Sequence, residues 1–352
     1  MKISFKRIRR ILIINLGGIG DMIFSIPFLR GLKQNFKNAK TVLLAVSGSS
    51  EIINNLGYLD EIRILDVRTE DIRILSFKIF KYIKFFWSLR KEKYDMVINL
   101  RSQVSLYSAI KMAIIFSITH AKYKVGRDYE NLGFFYNIKI QERRVFQKHE
   151  IEYHKELAKK LGFEVNDDIS IKLEKEYLGF ADNFFKINGI KEDDTKIIIN
   201  IEARWQTRRW QLENYISLIE KMLKEIRCKI LIIIHKDIEA MRKIKERFKN
   251  IVFLQDGNIK NIAGVISKTN LLITNDTGIM HIGAALNIPI VALFGSSDPY
   301  LTGPYISKDK YIILYKKVDC SPCNKTNCDS MKCFKNITVE DVFNAVKKLL
   351  KI

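Results

Sequence analysis

The chain has 352 residues, which at roughly 100–200 residues per domain predicts two domains. A hydrophobic share of 47% excludes intrinsic disorder as the main state, and only 5 prolines and 17 glycines exclude a collagen-like or Pro-rich linker protein. The 60 Lys+Arg against 39 Asp+Glu leave a net charge of +21, which suits anionic partners (nucleic acid, anionic lipid or phosphorylated substrates) without choosing among them.

The N-terminus carries Lys2, Lys6, Arg7, Arg9 and Arg10 ahead of the apolar Ile11–Ile14. That stretch is very short and is interrupted by Gly17, Gly18, Gly20 and Asp21. It therefore reads as a basic lead-in to a first buried strand and not as a signal peptide, which points to a cytoplasmic protein. No apolar run approaches the ~18 residues of a membrane-spanning helix.

In chain order, strands are predicted at Ile11–Asn15, Thr41–Ala45, Glu61–Leu65, Met96–Leu100 and Lys122–Val125. A second series follows at Lys196–Ile201, Lys229–Ile234, Ile251–Leu254, Asn270–Thr274 and Pro289–Phe294. Amphipathic stretches such as Asp21–Phe36, His149–Leu161, Gln211–Ile226 and Asp237–Phe248 lie between them. Strands apolar on both faces and separated by helices indicate parallel sheets covered on both sides. The fold class is thus α/β, with two Rossmann-like doubly wound domains expected to face a central cleft. The boundaries read as 1–170, 171–335 and a C-terminal helix in 336–352 that packs back on the first domain. Ile72–Arg90 mixes aromatic and basic residues. It reads either as a crossover helix packed on the sheet or as a helix lying on an anionic membrane.

Three strand-to-helix turns carry the candidate chemistry. The first is Asn15–Asp21, where Gly18 and Gly20 allow backbone N–H groups to approach a phosphate or an acceptor, and Asp21 opens the helix. It matches neither G-x-G-x-x-G nor the P-loop, and Asp21 on its own fits a helix cap equally well. The second is Asn275–His281: the N–H groups of Thr277 and Gly278 suit a phosphate, Asp276 suits sugar hydroxyls, and His281 lies one turn into the helix. The third is Arg204–Trp210, whose arginines suit a pyrophosphate.

In this combination the chain resembles glycosyltransferase family 9, the heptosyltransferase family of lipopolysaccharide assembly. Ile11–Leu32 resembles its opening segment, and Asn275–Pro299 closely resembles its most specific motif. Lys124–Gly126, His149–Glu150, Arg208–Trp210 and Cys320–Val342 follow in the expected order. The resemblance implies a GT-B-type fold, an ADP-heptose donor and inversion at the anomeric carbon, with no metal or other cofactor. It also implies Asp21 as general base. Arg208 or Arg209 would neutralise the departing diphosphate together with Thr277 and Gly278. Asp276 and His281 would line the donor pocket, and Glu239 would reach the nucleotide ribose. The implied partners are a nucleotide sugar, a phosphorylated lipid-linked saccharide acceptor and an anionic membrane surface, with no specific nucleic acid. The implied location is the inner face of the cytoplasmic membrane.

Two departures from the family pattern bear on this. Ile201-Glu202-Ala203 stands where the family often has Pro-Gly-Ala, so that Glu202 could crowd or repel a donor phosphate. The Asn15–Gly18 stretch lacks the common serine. Cys320, Cys323, Cys328 and Cys333 form C-x2-C-x4-C-x4-C, which admits a structural zinc or iron–sulfur site, disulfides or a reduced loop. The alternatives to heptose transfer are another nucleotide sugar on the same scaffold and, from a different class, a basic nucleic-acid-binding or non-catalytic protein.

Overall fold

Strands with apolar residues on both faces need a helical layer on each side, and the chain satisfies this twice over. The computed structural model describes residues 8–65 and 77–352, and the chain divides into two units, Met1–Ile169 and Ser170–Ile352. The basic lead-in before Ile8 and the start of the Ile72–Arg90 segment lie outside the described residues.

In the first unit, β1 (Arg10–Asn15), α1 (Ile19–Asn35), β2 (Lys40–Ala45) and β3 (Glu61–Ile64) are followed by α2 (Phe77–Lys91), β4 (Met96–Asn99) and α3 (Leu106–Thr119). Then come β5 (Tyr123–Tyr129), β6 (Ile138–Glu142) and α4 (Glu150–Lys160). The strands form one parallel sheet in the order β3-β2-β1-β4-β5-β6. Leu12, Ile14, Val42, Leu44 and Val97 of the sheet pack with Met112 and Phe116 of α3 in one core cluster.

The second unit opens with α5 (Lys175–Ile187), β7 (Lys196–Asn200), α6 (Leu212–Glu225), β8 (Lys229–Ile233), α7 (Ile238–Arg247), β9 (Val252–Leu254) and α8 (Ile259–Ser267). It continues with β10 (Leu271–Asn275), α9 (Gly278–Ala285), β11 (Ile290–Phe294), α10 (Pro299–Thr302), β12 (Tyr311–Tyr315), α11 (Lys332–Lys335) and α12 (Val339–Leu350). Its parallel sheet runs β12-β11-β10-β7-β8-β9. Read from its other edge, this is the strand order of the first unit. The same doubly wound topology therefore occurs twice without a close sequence repeat.

Two expectations need correction. The strand expected at Lys122–Val125 runs on to Tyr129 because Arg127 and Asp128, which look like loop residues, are buried and paired. The edge strands β6 and β12 escape a search for continuous apolar runs: β6 (IKIQE) alternates with polar residues, and β12 is only half buried. The C-terminal helix α12 belongs to the second unit. Val342, Phe343, Ala345 and Val346 join the core of the second unit, beside Trp210 and Leu218.

Candidate active site

In an open α/β sheet, ligands gather at the carboxyl ends of the strands where the order reverses. Here those strands are β1 and β4 in the first unit and β7 and β10 in the second. All four end in a buried asparagine: Asn15, Asn99, Asn200 and Asn275. Each side chain holds turn backbone or a neighbouring side chain, as a buried amide must.

Asn15 accepts from the Gly17 N–H at 3.2 Å and donates to the Asp21 carbonyl at 3.0 Å. This fixes the turn into α1, where Gly18 is the N-cap and Asp21 the third helical residue. The Asp21 carboxylate accepts from the Gly18 N–H at 2.8 Å. That bond corrects the expectation that this N–H is free for a ligand phosphate; Gly20 is the second residue of α1. The glycine that the geometry demands is Gly17, because a Cβ there would sit 2.3 Å from Asp21 Oδ2 and 2.5 Å from Asp21 Cβ. Gly17→Ala is expected to push the carboxylate out of place and lower transfer by about 10²-fold. Nucleotide binding by the second unit should be unchanged, which steady-state rates and a nucleotide titration on the same preparation would check.

Asn99 performs the same service for Arg101, accepting from its N–H at 3.2 Å and donating to its carbonyl at 2.7 Å. Arg101 Nη1 lies 3.4 Å from Asp21 Oδ2, which places an exposed cation beside the candidate base. Behind this turn is a buried ionic cluster. Arg127 is bound by Glu142 at 3.0 Å and Glu150 at 2.5 Å, and it also donates to the Leu100 carbonyl at 3.3 Å. Ser102 donates to Glu142. Burial and the neighbouring Arg127 hold the His154 imidazole below its ordinary pKa, so it is neutral and donates from one nitrogen only. Its Nδ1 is 2.9 Å from the Phe24 carbonyl and Nε2 is 3.3 Å from that of Leu100.

On the second unit the geometry separates residues that the sequence groups together. Arg208 Nη1 binds Asp276 Oδ2 at 2.9 Å, and its guanidinium lies 4.4 Å from the centroid of the Trp205 ring. Arg208 Nε is buried without a partner among the described residues. Arg209 turns elsewhere and donates to the Ala203 carbonyl at 2.5 Å. Asp276 is buried and also accepts from the Ser297 hydroxyl at 2.6 Å. Thr277 is the N-cap of α9, with its hydroxyl held by Asn200 at 3.0 Å. Gly278 opens that helix, so the N–H groups here point out of its positive end. His281 is buried within α9. Glu239 is not brought to this group: it is exposed in the first turn of α7 and pairs with Lys243 at 3.3 Å.

Glu202 resolves differently from the sequence expectation. Its carboxylate accepts from the N–H groups of His235, Lys236 and Asp237 at 2.8–3.0 Å. It therefore braces the turn after β8 and is spent there. Burial works to raise its pKa, but the three backbone donors prevail and hold it below the ordinary 4.5. Glu202→Gln is expected to cost about 1–3 kcal/mol of stability at neutral pH. A group with a depressed folded pKa stabilises above its unfolded pKa and loses that contribution as the pH falls through the folded value. The gap between wild type and variant in urea melts should therefore close below pH 4.5.

The cysteine segment buttresses the Arg208 turn. Thr207 donates through its N–H to the Thr326 carbonyl at 3.4 Å and through its hydroxyl to that of Lys325. The Cys323 and Asn324 N–H groups donate to the Ser296 carbonyl. All four cysteines are free thiols, with Cys333 buried and Cys320 exposed. Among the described residues no group of three or more His, Cys, Asp or Glu is arranged to hold a metal ion. A pocket of about 350 Å³ beside this segment is lined by Arg209, Trp210, Tyr215, Asp237 and Cys328 and includes neither Arg208 nor Asp276.

Sequence reasoning missed Arg101 and the four asparagines as a set, and assigned no role to Gly17 within the first turn or to Ser297. The signal for the asparagines was their recurrence at the end of an apolar strand run.

Two doubly wound α/β units thus place charged turns at the carboxyl ends of their switch strands. The sequence model of Glycosyltransferase family 9 (heptosyltransferase) matches residues 82–334, and the chain belongs to that family. It is similar to lipopolysaccharide heptosyltransferase 1 of Escherichia coli, at 24% identity over 307 residues, covering 84% of this chain and 91% of the relative. Among solved structures, it resembles the family 9 glycosyltransferase of Veillonella parvula with a TM-score of 0.79 at 22% identity, covering 100% of this chain and 99% of that one. It also resembles the E. coli heptosyltransferase WaaC solved with ADP-2-deoxy-2-fluoro heptose, with a TM-score of 0.72 at 20% identity, covering 96% and 99%. Family membership selects the enzyme over the nucleic-acid-binding alternative.

Proposed function

We propose that the protein transfers a heptose from ADP-heptose to a phosphorylated, lipid-linked saccharide acceptor of lipopolysaccharide-core type, with inversion at the anomeric carbon and without a metal ion. The observation that carries this is the Arg208–Asp276 pair at the N-terminus of α9, on the switch strands of the second sheet. Such a site offers a fixed cation, oriented N–H groups and a carboxylate for sugar hydroxyls, as an anionic sugar nucleotide needs. The WaaC relative supports the nucleotide and sugar assignment, since it was solved with an ADP-heptose analogue.

In the proposed step Asp21 takes the proton of an acceptor hydroxyl as that oxygen bonds to the anomeric carbon. The bond from that carbon to the diphosphate breaks, and its electron pair leaves on the phosphate oxygen. Arg208 and the N–H groups of Thr277 and Gly278 receive the new charge. Arg101, next to Asp21, suits a phosphate on the acceptor. The protein then works peripherally at the inner face of the cytoplasmic membrane. Among the described residues no helix is long and apolar enough to cross a membrane. Glu202 stays ionised, and the N–H groups of the turn after β8 hold its carboxylate and offset part of its charge.

Thermal melts with nucleoside diphosphates test the donor assignment. ADP at about 100 times its dissociation constant should stabilise the protein by about 2.7 kcal/mol, with GDP and UDP at the same concentration doing much less. Stabilisation by UDP or GDP in place of ADP would move the function to another nucleotide sugar.

A further inference from the structure

The helix α3 carries apolar residues on both its buried and its exposed sides. Ala109, Met112, Ile115, Phe116 and Thr119 are buried. On the opposite side Leu106, Tyr107, Ile110 and Ile114 are 61%, 60%, 47% and 54% exposed. Val104, just ahead of the helix, is 70% exposed, and Trp87 on the neighbouring α2 is 58% exposed. Exposed apolar residues scattered singly are normal on a soluble protein, but a helical row of them marks a surface that something covers.

The charges nearby say what covers it. Among the described side chains α2 and α3 carry Lys84, Arg90, Lys91 and Lys111, and neither helix has an acidic residue in its sequence. Lys91 Nζ lies 4.2 Å from the Trp87 ring centroid and Lys111 Nζ 3.9 Å from that of Tyr107. An aromatic ring with a lysine alongside is the combination that seats at a lipid headgroup boundary. A second copy of the chain docking here by two-fold symmetry would set one cationic face against another. With 14 residues, α3 is about 21 Å long, shorter than the ~30 Å hydrocarbon core, so it suits lying in the interface plane.

We propose that the outward face of α3, flanked by Trp87, Lys84 and Lys91 of α2, docks the enzyme in the headgroup region of an anionic bilayer. This face starts a few residues beyond Arg101, at the same carboxyl edge as Asp21. Docking there brings the acceptor turn to where a lipid-linked saccharide is held. The inference rests on the membrane-peripheral reading above, and its test reads lipid binding with no donor or turnover, so that the two can fail separately.

The test is flotation of the full chain with phosphatidylcholine vesicles, with and without about one-third phosphatidylglycerol. Wild type should partition at least about tenfold more strongly into the anionic vesicles and be released by salt. Ile110→Asn with Ile114→Asn should weaken binding at least about tenfold. Lys84→Glu with Lys91→Glu should do so independently, both variants melting as wild type does because the altered side chains are exposed. Wild type that ignores anionic vesicles, or variants that bind them as wild type does, would overturn the proposal. So would a wild-type dimer that Ile110→Asn with Ile114→Asn turns into a monomer, which would assign the face to a second copy.

Discussion

Asp21→Asn is expected to lower transfer by roughly 10²–10⁴-fold while leaving nucleotide affinity unchanged. The carboxylate is the only acid in the first turn of α1. Gly17 and Gly18 leave it the room and the N–H it uses there, and Arg101 lies 3.4 Å away. Asparagine keeps the shape and can still accept from Gly18, so the helix start should survive, whereas an amide cannot take the acceptor's proton. Single-turnover rates and a nucleotide titration separate the two effects. A variant retaining more than about a tenth of the wild-type rate would show that another group is the base, since general-base catalysis contributes more than that.

Arg208→Ala is expected to weaken ADP binding roughly 10–100-fold, the value of a charged hydrogen bond of about 1.5–3 kcal/mol, and to lower the transfer rate by a further 10²–10³-fold or about that. The second effect arises because the cation meets charge that develops as the diphosphate leaves. Removing it also leaves Asp276, only 4% exposed, with Ser297 as its remaining side-chain partner. Arg208→Lys should recover part of the binding, since a point charge replaces a planar fork. Arg209→Ala should change ADP affinity little, because its Nε is committed to the Ala203 carbonyl. Calorimetric titration of ADP into the three variants checks the set. Equal losses for Arg208→Ala and Arg209→Ala would overturn the distinction.

How much of this was legible in the sequence follows from what periodicity and motifs encode. The eight central strands announce themselves because a strand buried on both faces must be apolar throughout, as Ile11–Ile14 and Ile197–Ile199 are. Edge strands have no such need, so β6 and β12 did not stand out. The end of β5 was hidden because Arg127 is buried by pairing with Glu142 and Glu150, which lie well downstream in the chain. The turns bearing Asp21, Asp276 and Arg208 could be read because each follows a strand run and opens a helix. Their partners could not. Arg101 reaches Asp21 only because β4 adjoins β1, and Ser297 reaches Asp276 only because β11 adjoins β10. Choosing Arg208 over Arg209 needed the path of the Gln206–Arg208 turn. The anchoring of Glu202 was not legible because the turn after β8, which its carboxylate braces, comes some thirty residues later in the chain.

The most direct measurement is transfer itself. Wild type and Asp21→Asn are incubated with ADP-heptose and a deacylated Kdo-lipid acceptor, in the presence of a chelator. The acceptor is followed by mass and the new linkage by NMR. The account predicts one heptose added by wild type, with the anomeric configuration opposite to that in the donor, and none detectable with the variant over the same period. Retained configuration, dependence on a metal, or transfer from GDP- or UDP-sugars but not from ADP-heptose would contradict it.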